Sequence, residues 1–402
     1  KKLADILGLE IILWLFILIL SFIGSFFITS DLIVRKAVWI LTIFVISNSF
    51  FGIIFSFLRA RQKMEYEAGI KIFQALLNLM IVILIIFNIP SIVNLSYGYL
   101  LSNIIVLAFS IFYFNFYFQK LNIRFKKDIF EILKMSWPLS FGLMIGWVYI
   151  SINSVMLGYW GLITENGWYN AASRIAIVAI IPASLIVKSF YPVLSNLFVS
   201  SKQNLQKAWD YLMELMILLV LPTVAGGIAL SDNIIKSFYG SDFSPSALAL
   251  QLLMIAVGIS FINYPYGVIL VVSDHQKRNF GLIALGAVIN IVLNFFFIPA
   301  FGLYGAIMGT IIASFIIFLL TVFYSKKLAL ILPFNKNLLK VALISLISSS
   351  IMYYAISSKF ISGLNIIFIF IIGILTYALF LFLFYITIFP KRLLILKKWK
   401  NS

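Results

Sequence analysis

Residues 276–327 read QKRNFGLIALGAVINIVLNFFFIPAFGLYGAIMGTIIASFIIFLLTVFYSKK, and no Asp, Glu, Lys or Arg falls between Arg278 and Lys326. A hydrocarbon core roughly 30 Å thick is crossed by about 20 apolar residues of helix at a rise of about 1.5 Å each, so this run is too long for one crossing. It holds two, 280–298 and 303–324, reversing at 299–302. Backbone polar groups in hydrocarbon must be bonded within the protein, and a lone crossing segment achieves that only as a helix.

The same pattern fills the chain. Twelve crossings are read at 9–27, 37–57, 70–87, 92–118, 132–159, 169–197, 208–230, 247–271, 280–298, 303–324, 339–357 and 365–388. Hydrophobic residues make up 63% of the chain and charged ones 11%, with a mean hydropathy of +1.11, which a water-exposed surface does not tolerate. The fold class is therefore an all-α integral membrane protein with about twelve transmembrane helices.

Charge fixes the orientation. Of the 30 Lys and Arg residues, 24 fall in the termini and alternate loops on one side, whereas Arg35, Lys36, Lys236 and Lys359 lie on the other. Short cytoplasmic loops hold the excess of Lys and Arg, so both termini are expected in the cytoplasm of a multi-pass protein of a prokaryotic plasma membrane. The net charge of +17 then reads as a basic fringe facing anionic headgroups of the bilayer, and a nucleic-acid role is set aside. Cys is absent and His275 is the sole His, so thiolate metal sites and Cys or His-based hydrolase centres lack their parts. No glycine-rich phosphate loop follows a strand; no metal or cofactor is expected, and the chain is not read as an enzyme. It begins Lys1-Lys2 without Met and without a secretory cleavage pattern, so an upstream segment is expected.

Four landmarks recur in one order. Gln62-Lys63-Met64-Glu65-Tyr66 matches Gln276-Lys277-Arg278-Asn279-Phe280; an apolar span then ends at Ile89-Pro90 or Ile298-Pro299, and Tyr97-Gly98 or Tyr304-Gly305 opens the next. Crossings one to four are read as copies of seven to ten, six helices per repeat, both running the same way through the membrane. Transporters use such parallel repeats to build two lobes about an axis along the membrane normal. The expected domains are an amino-terminal lobe over 1–127 with four remaining helices, a six-helix carboxyl-terminal lobe over 128–328, and an added helix pair with a basic tail over 329–402, two helices being expected upstream.

Within the second lobe stand Pro138-Leu139-Ser140, the run Asn153 to Gly161, Gly167-Trp168-Tyr169-Asn170-Ala171-Ala172-Ser173-Arg174, Tyr191-Pro192-Val193-Leu194-Ser195, Phe238-Tyr239-Gly240-Ser241-Asp242-Phe243, and the run Ile298 to Ala306. In this order and spacing they resemble the polysaccharide flippases, of O-antigen and teichoic-acid type, of the multidrug/oligosaccharidyl-lipid/polysaccharide exporter superfamily. The resemblance implies a two-lobe bundle that moves a polyprenyl-pyrophosphate-linked oligosaccharide from the inner to the outer leaflet by alternating access, with polysaccharide assembly proteins as candidate partners. Members of that family often carry an acidic residue where Asn153 stands, which puts a charge-dependent role there in doubt.

The residues themselves point to an anionic cargo. Arg174 and Lys188 lie inside crossing six, where a cation costs about 3 kcal/mol on insertion scales unless a wet cavity or a partner receives it. Fourteen residues apart, they share a helix face roughly 21 Å apart along the axis. Arg offers a planar fork for a pyrophosphate and Lys a mobile point charge; snorkelling to the headgroups is the other reading. Asn153, Asn290 and Asn294 either meet sugar hydroxyls or bond across to neighbouring helices. Trp147 and Tyr149 either stack on sugar rings or face lipid. Asp210 and Glu214, four residues apart, either form a proton or sodium site for ion coupling or favour the start of their helix. An ion-coupled exporter of cationic drugs needs buried acids, so it stands as the alternative to the flippase. A polysaccharide polymerase or ligase needs a long charged outer loop, and none is present.

Overall fold

The computed structural model describes residues 2–117, 129–329, 335–358, 361 and 364–388. Among the described residues the elements are helical and no strand occurs: α1 (Lys2–Ile28), α2 (Leu32–Ala60), α3 (Met64–Asn88), α4 (Ile92–Tyr117), α5 (Ile129–Tyr159), α6 (Ile163–Ser200), α7 (Lys202–Tyr239), a short 3-10 turn (Ser241–Phe243), α8 (Pro245–Val272), α9 (Gln276–Ala329), α10 (Lys336–Ile356) and α11 (Ile366–Ile388). Ten of these are long and apolar enough to cross a membrane. α9 is broken at Gly302 (φ 53°, ψ −130°) and so contains both crossings of the opening stretch, while α5 carries a shorter apolar part, Met144–Tyr159. Each of the twelve expected crossings thereby has its helix. The basic segments at 118–128 and 389–402 lie outside the described residues.

Local chemistry sets the helix ends. Asp31 accepts from the Ile33 N–H at 2.8 Å to start α2, Ser201 accepts from Asn204 at 3.3 Å to start α7, and Asn335 accepts from Leu338 at 2.8 Å to start α10. Gly240, at φ 85°, closes α7 in a conformation open to Gly. Large apolar side chains stay outward, Phe27 at 87% and Phe87 at 82% exposure, as a lipid solvent permits and water does not.

The chain divides into two compact units, 1–140 and 141–402. In the first, α2 packs on α1, α3 and α4 around Phe51, Ile54, Phe55, Leu58 and Phe114. A polar brace crosses this core: Asn103 Nδ2 donates to Ser47 Oγ at 2.9 Å and to the Phe44 carbonyl at 3.1 Å, and Gln74 Nε2 donates to Asn103 Oδ1 at 3.0 Å. At the α2–α3 turn the Arg59 fork grips both oxygens of Glu67 at 2.7 Å, with Lys71 Nζ at 2.6 Å.

In the second unit α8 is central and packs on α6, α7 and α9, with Trp209, Tyr266 and Phe261 fully buried; α10 and α11 pack on α7. The repeat landmarks need one adjustment of register. Gln62 (φ 58°) and Asp274 (φ 63°) occupy equivalent left-handed turn positions, each followed by a bond that closes the turn, Lys63 N–H to the Leu58 carbonyl and His275 N–H to the Leu270 carbonyl. Backbone geometry thus pairs Gln62 with Asp274, two residues before the Gln276 matched by sequence.

Candidate functional site

α6 presents two faces because its small residues recur at helical spacing. Tyr169, Ala172, Ala176, Ala183, Val187 and Leu194 are buried in the core of the second unit. Arg174 and Lys188 are exposed on the other side of the helix, and among the described residues neither forms an ion pair. Arg174 lines a cavity of about 700 Å³ whose other walls are largely apolar, among them Ile175 and Val178 of α6, Ile234, Phe238 and Tyr239 of α7, and Ile367 and Phe370 of α11. An unpaired guanidinium against a hydrocarbon-lined hollow suits a ligand with an anionic head and a greasy body.

The three asparagines form one buried cluster. Asn153 Nδ2 donates to the Tyr169 hydroxyl and to Thr310 Oγ1, both at 2.7 Å; Asn294 Nδ2 donates to Asn153 Oδ1 at 2.6 Å and Asn290 Oδ1 at 3.2 Å; Asn290 Nδ2 reaches Thr310 Oγ1 at 3.3 Å. These bonds tie α5 to α6 and to both halves of α9. Gly309 makes room for the cluster, since a Cβ there would strike the side-chain amide oxygen of Asn294. Tyr149 lies nearby with its hydroxyl 3.2 Å from Ser314, whereas Trp147 is 68% exposed.

Asp210 and Glu214 fall on a different line. Asp210 accepts from Gln206 at 2.8 Å and from Asn335, the cap of α10, at 2.8 Å; buried Glu214 accepts from the Tyr385 hydroxyl of α11 at 3.1 Å. One turn further on, the Tyr377 hydroxyl donates to the Leu218 carbonyl at 2.6 Å. Residues 210, 214 and 218 make an i, i+4, i+8 stripe, along which α7 receives α10 and α11. Among the described residues no group of three or more His, Cys, Asp or Glu is placed to hold a metal.

Sequence reasoning does not single out Glu165. Its carboxylate accepts from the Leu303 N–H, just beyond the Gly302 break in α9. The available signal is the break itself: a reversal at Pro299 to Gly302 leaves helix-start N–H groups needing acceptors, and Glu165 is an acid with no cation beside it in sequence.

The family of polysaccharide biosynthesis proteins matches residues 5–248, more than half of the chain. The chain belongs to that family. A similar curated relative, the probable flippase AglR of Haloferax volcanii, is 21% identical over 272 residues, covering 67% of this chain and 56% of the relative. The chain spans about half the length of the curated relatives it matches. Among solved structures, the lipid II flippase MurJ in an inward closed conformation is similar with a TM-score of 0.72 at 20% identity, covering 96% of this chain and 85% of that one. An inward-facing multidrug resistance MATE family transporter of the MOP superfamily follows at 0.67 and 15%, with 81% of each chain covered. The expectation is therefore met at the level of the polysaccharide biosynthesis family and of a helical fold like that of these two solved structures.

Proposed function

We propose that the protein is a flippase, not an enzyme, that moves a polyprenyl-pyrophosphate-linked oligosaccharide from the inner to the outer leaflet by alternating access. The observation that carries this reading is that Arg174, which among the described residues forms no ion pair, lines the largely apolar cavity between α6, α7 and α11. The guanidinium supplies a fork for a phosphate and the cavity walls supply a dry path for isoprenoid; Lys188, almost four turns along the same face, supplies a second point of positive charge. Membership of the polysaccharide biosynthesis family, the flippase name of AglR and the lipid II flippase name of MurJ support this reading. The cell setting proposed is the plasma membrane of a prokaryote with both termini cytoplasmic, in company with polysaccharide assembly proteins. Within this reading the asparagine cluster braces the helices and leaves the anion to Arg174 and Lys188.

The MATE-like fold keeps one alternative, an ion-coupled exporter of cationic drugs. It is disfavoured by sign: the exposed charges inside α6 are cations, and the intramembrane acids of α7 are occupied by Asn335 and Tyr385. Reconstitution of the protein with a fluorescent pyrophosphate-linked oligosaccharide, read by leaflet-specific quenching, tests the proposal. Arg174→Ala with Lys188→Ala is expected to slow transfer at least tenfold, roughly the loss of one charge-assisted contact. Unchanged transfer overturns it, and expulsion of a cationic dye in place of the oligosaccharide favours the exporter.

A further inference from the structure

The α8–α9 turn carries a second cavity, of about 890 Å³, that the transport reading does not use. Its rim holds Lys277 and Arg278, both exposed, and among the described residues neither forms an ion pair. Arg278 is held in place by stacking, its guanidinium carbon 4.6 Å from the centre of the Tyr324 ring. Below the rim the wall turns apolar at Leu282, Leu285 and Leu320. Leu282 and Leu285 stand one and two turns beyond Arg278, roughly 6 and 10 Å along the helix, the distance from a headgroup phosphate to the first acyl carbons.

We infer that this cavity binds one anionic glycerophospholipid, its phosphate between Lys277 and Arg278 and its acyl chain along Leu282 and Leu285. The inference rests on the proposed orientation, which puts this turn at the cytoplasmic headgroup layer, and not on the flippase activity. Charge selects the ligand: Lys277 and Arg278 against Asp274 leave the rim with one net positive charge, the complement of a single phosphodiester rather than of a pyrophosphate. The start of α9 adds a partial positive charge at the same place. A basic rim above an apolar wall is the arrangement by which membrane proteins hold anionic lipid in the inner leaflet.

Native mass spectrometry of the full chain released from micelles containing phosphatidylglycerol and phosphatidylcholine with identical acyl chains tests the site. The wild type is expected to keep one phosphatidylglycerol in preference to phosphatidylcholine. Lys277→Gln with Arg278→Gln, and separately Lys277→Glu, each change the rim by two charges and are expected to lower that retention about thirtyfold, each charge at a membrane surface being worth about 1 kcal/mol. Lys340→Gln, an exposed cation outside the cavity, is expected to change nothing. Equal retention of the two lipids, or undiminished retention by both cavity variants, overturns the inference. Displacement by millimolar inorganic phosphate makes the cavity a free-anion site, and displacement by equimolar polyprenyl pyrophosphate makes it a substrate entry; either also overturns it.

Discussion

The Tyr377 hydroxyl donates a 2.6 Å hydrogen bond to the Leu218 carbonyl, the one acceptor that Pro222 deprives of its partner four residues along α7. Proline carries no N–H, so the carbonyl four positions before it loses its helical bond, and in a membrane that group must be satisfied from a neighbouring helix. Ser345 of α10 joins the same contact, 2.9 Å from the Tyr377 hydroxyl. Tyr377→Phe is expected to destabilise the protein by about 1 kcal/mol, the upper range for an interhelical bond in lipid. In a Pro222→Ala background the helix recovers its own donor, so the same substitution is expected to cost less. Thermal unfolding of the four proteins in detergent measures the coupling, and strict additivity refutes the account.

The acids of α7 give a second prediction. Asp210→Asn and Glu214→Gln each keep an oxygen that can accept from Asn335 and Tyr385, so the packing of α10 and α11 on α7 is expected to survive with melting temperatures close to wild type. If these carboxylates serve only that packing, stimulation of transfer by a proton or sodium gradient is unchanged in the double variant. Loss of gradient dependence at unchanged stability restores Asp210 and Glu214 as the coupling site.

What is legible in the sequence, and what is not, divides by distance along the chain. The crossings are legible because lipid demands a long apolar window, and Arg174 because a charge inside one needs a reason. The Asn290–Asn294 pair is visible from its one-turn spacing. The bond from Leu303 to Glu165 and the bond from Tyr377 to Leu218 join residues 138 and 159 positions apart, and nothing local in either segment specifies the partner. The turns at Gln62 and Asp274 share a left-handed conformation that side-chain likeness does not reveal, since by side chain Gln62 resembles Gln276.

The asparagine cluster yields a ranking. Asn153 takes part in three bonds of 2.6 to 2.7 Å that reach two other helices, whereas Asn290 is joined only by bonds of 3.2 and 3.3 Å. At about 0.6 kcal/mol for an average interhelical bond in a membrane, Asn153→Ala is expected to cost about 2 kcal/mol and Asn290→Ala less than half of that. Unfolding midpoints in one detergent give the order. A variant that keeps its stability but loses oligosaccharide transfer would instead place that amide against the sugar.

The break in α9 ties backbone conformation to a side chain. Gly302 sits at φ 53° and ψ −130°, a region essentially restricted to Gly, and a Cβ there would also run into the Glu165 carboxylate that receives the Leu303 N–H. Gly302→Ala therefore meets two separate obstacles: backbone strain of about 1–3 kcal/mol, and displacement of the carboxylate from its donor. Glu165→Ala removes the second obstacle but also the acceptor, leaving a helix-start N–H unpaired at a cost of about 1–3 kcal/mol. Each single variant is thus expected to melt below wild type. The double variant is expected to melt above the sum of the two losses, because once the carboxylate is gone the added methyl at position 302 has nothing to displace. A melting temperature for the double variant at or below additivity, measured in the same detergent, would mean that Glu165 and Gly302 act independently.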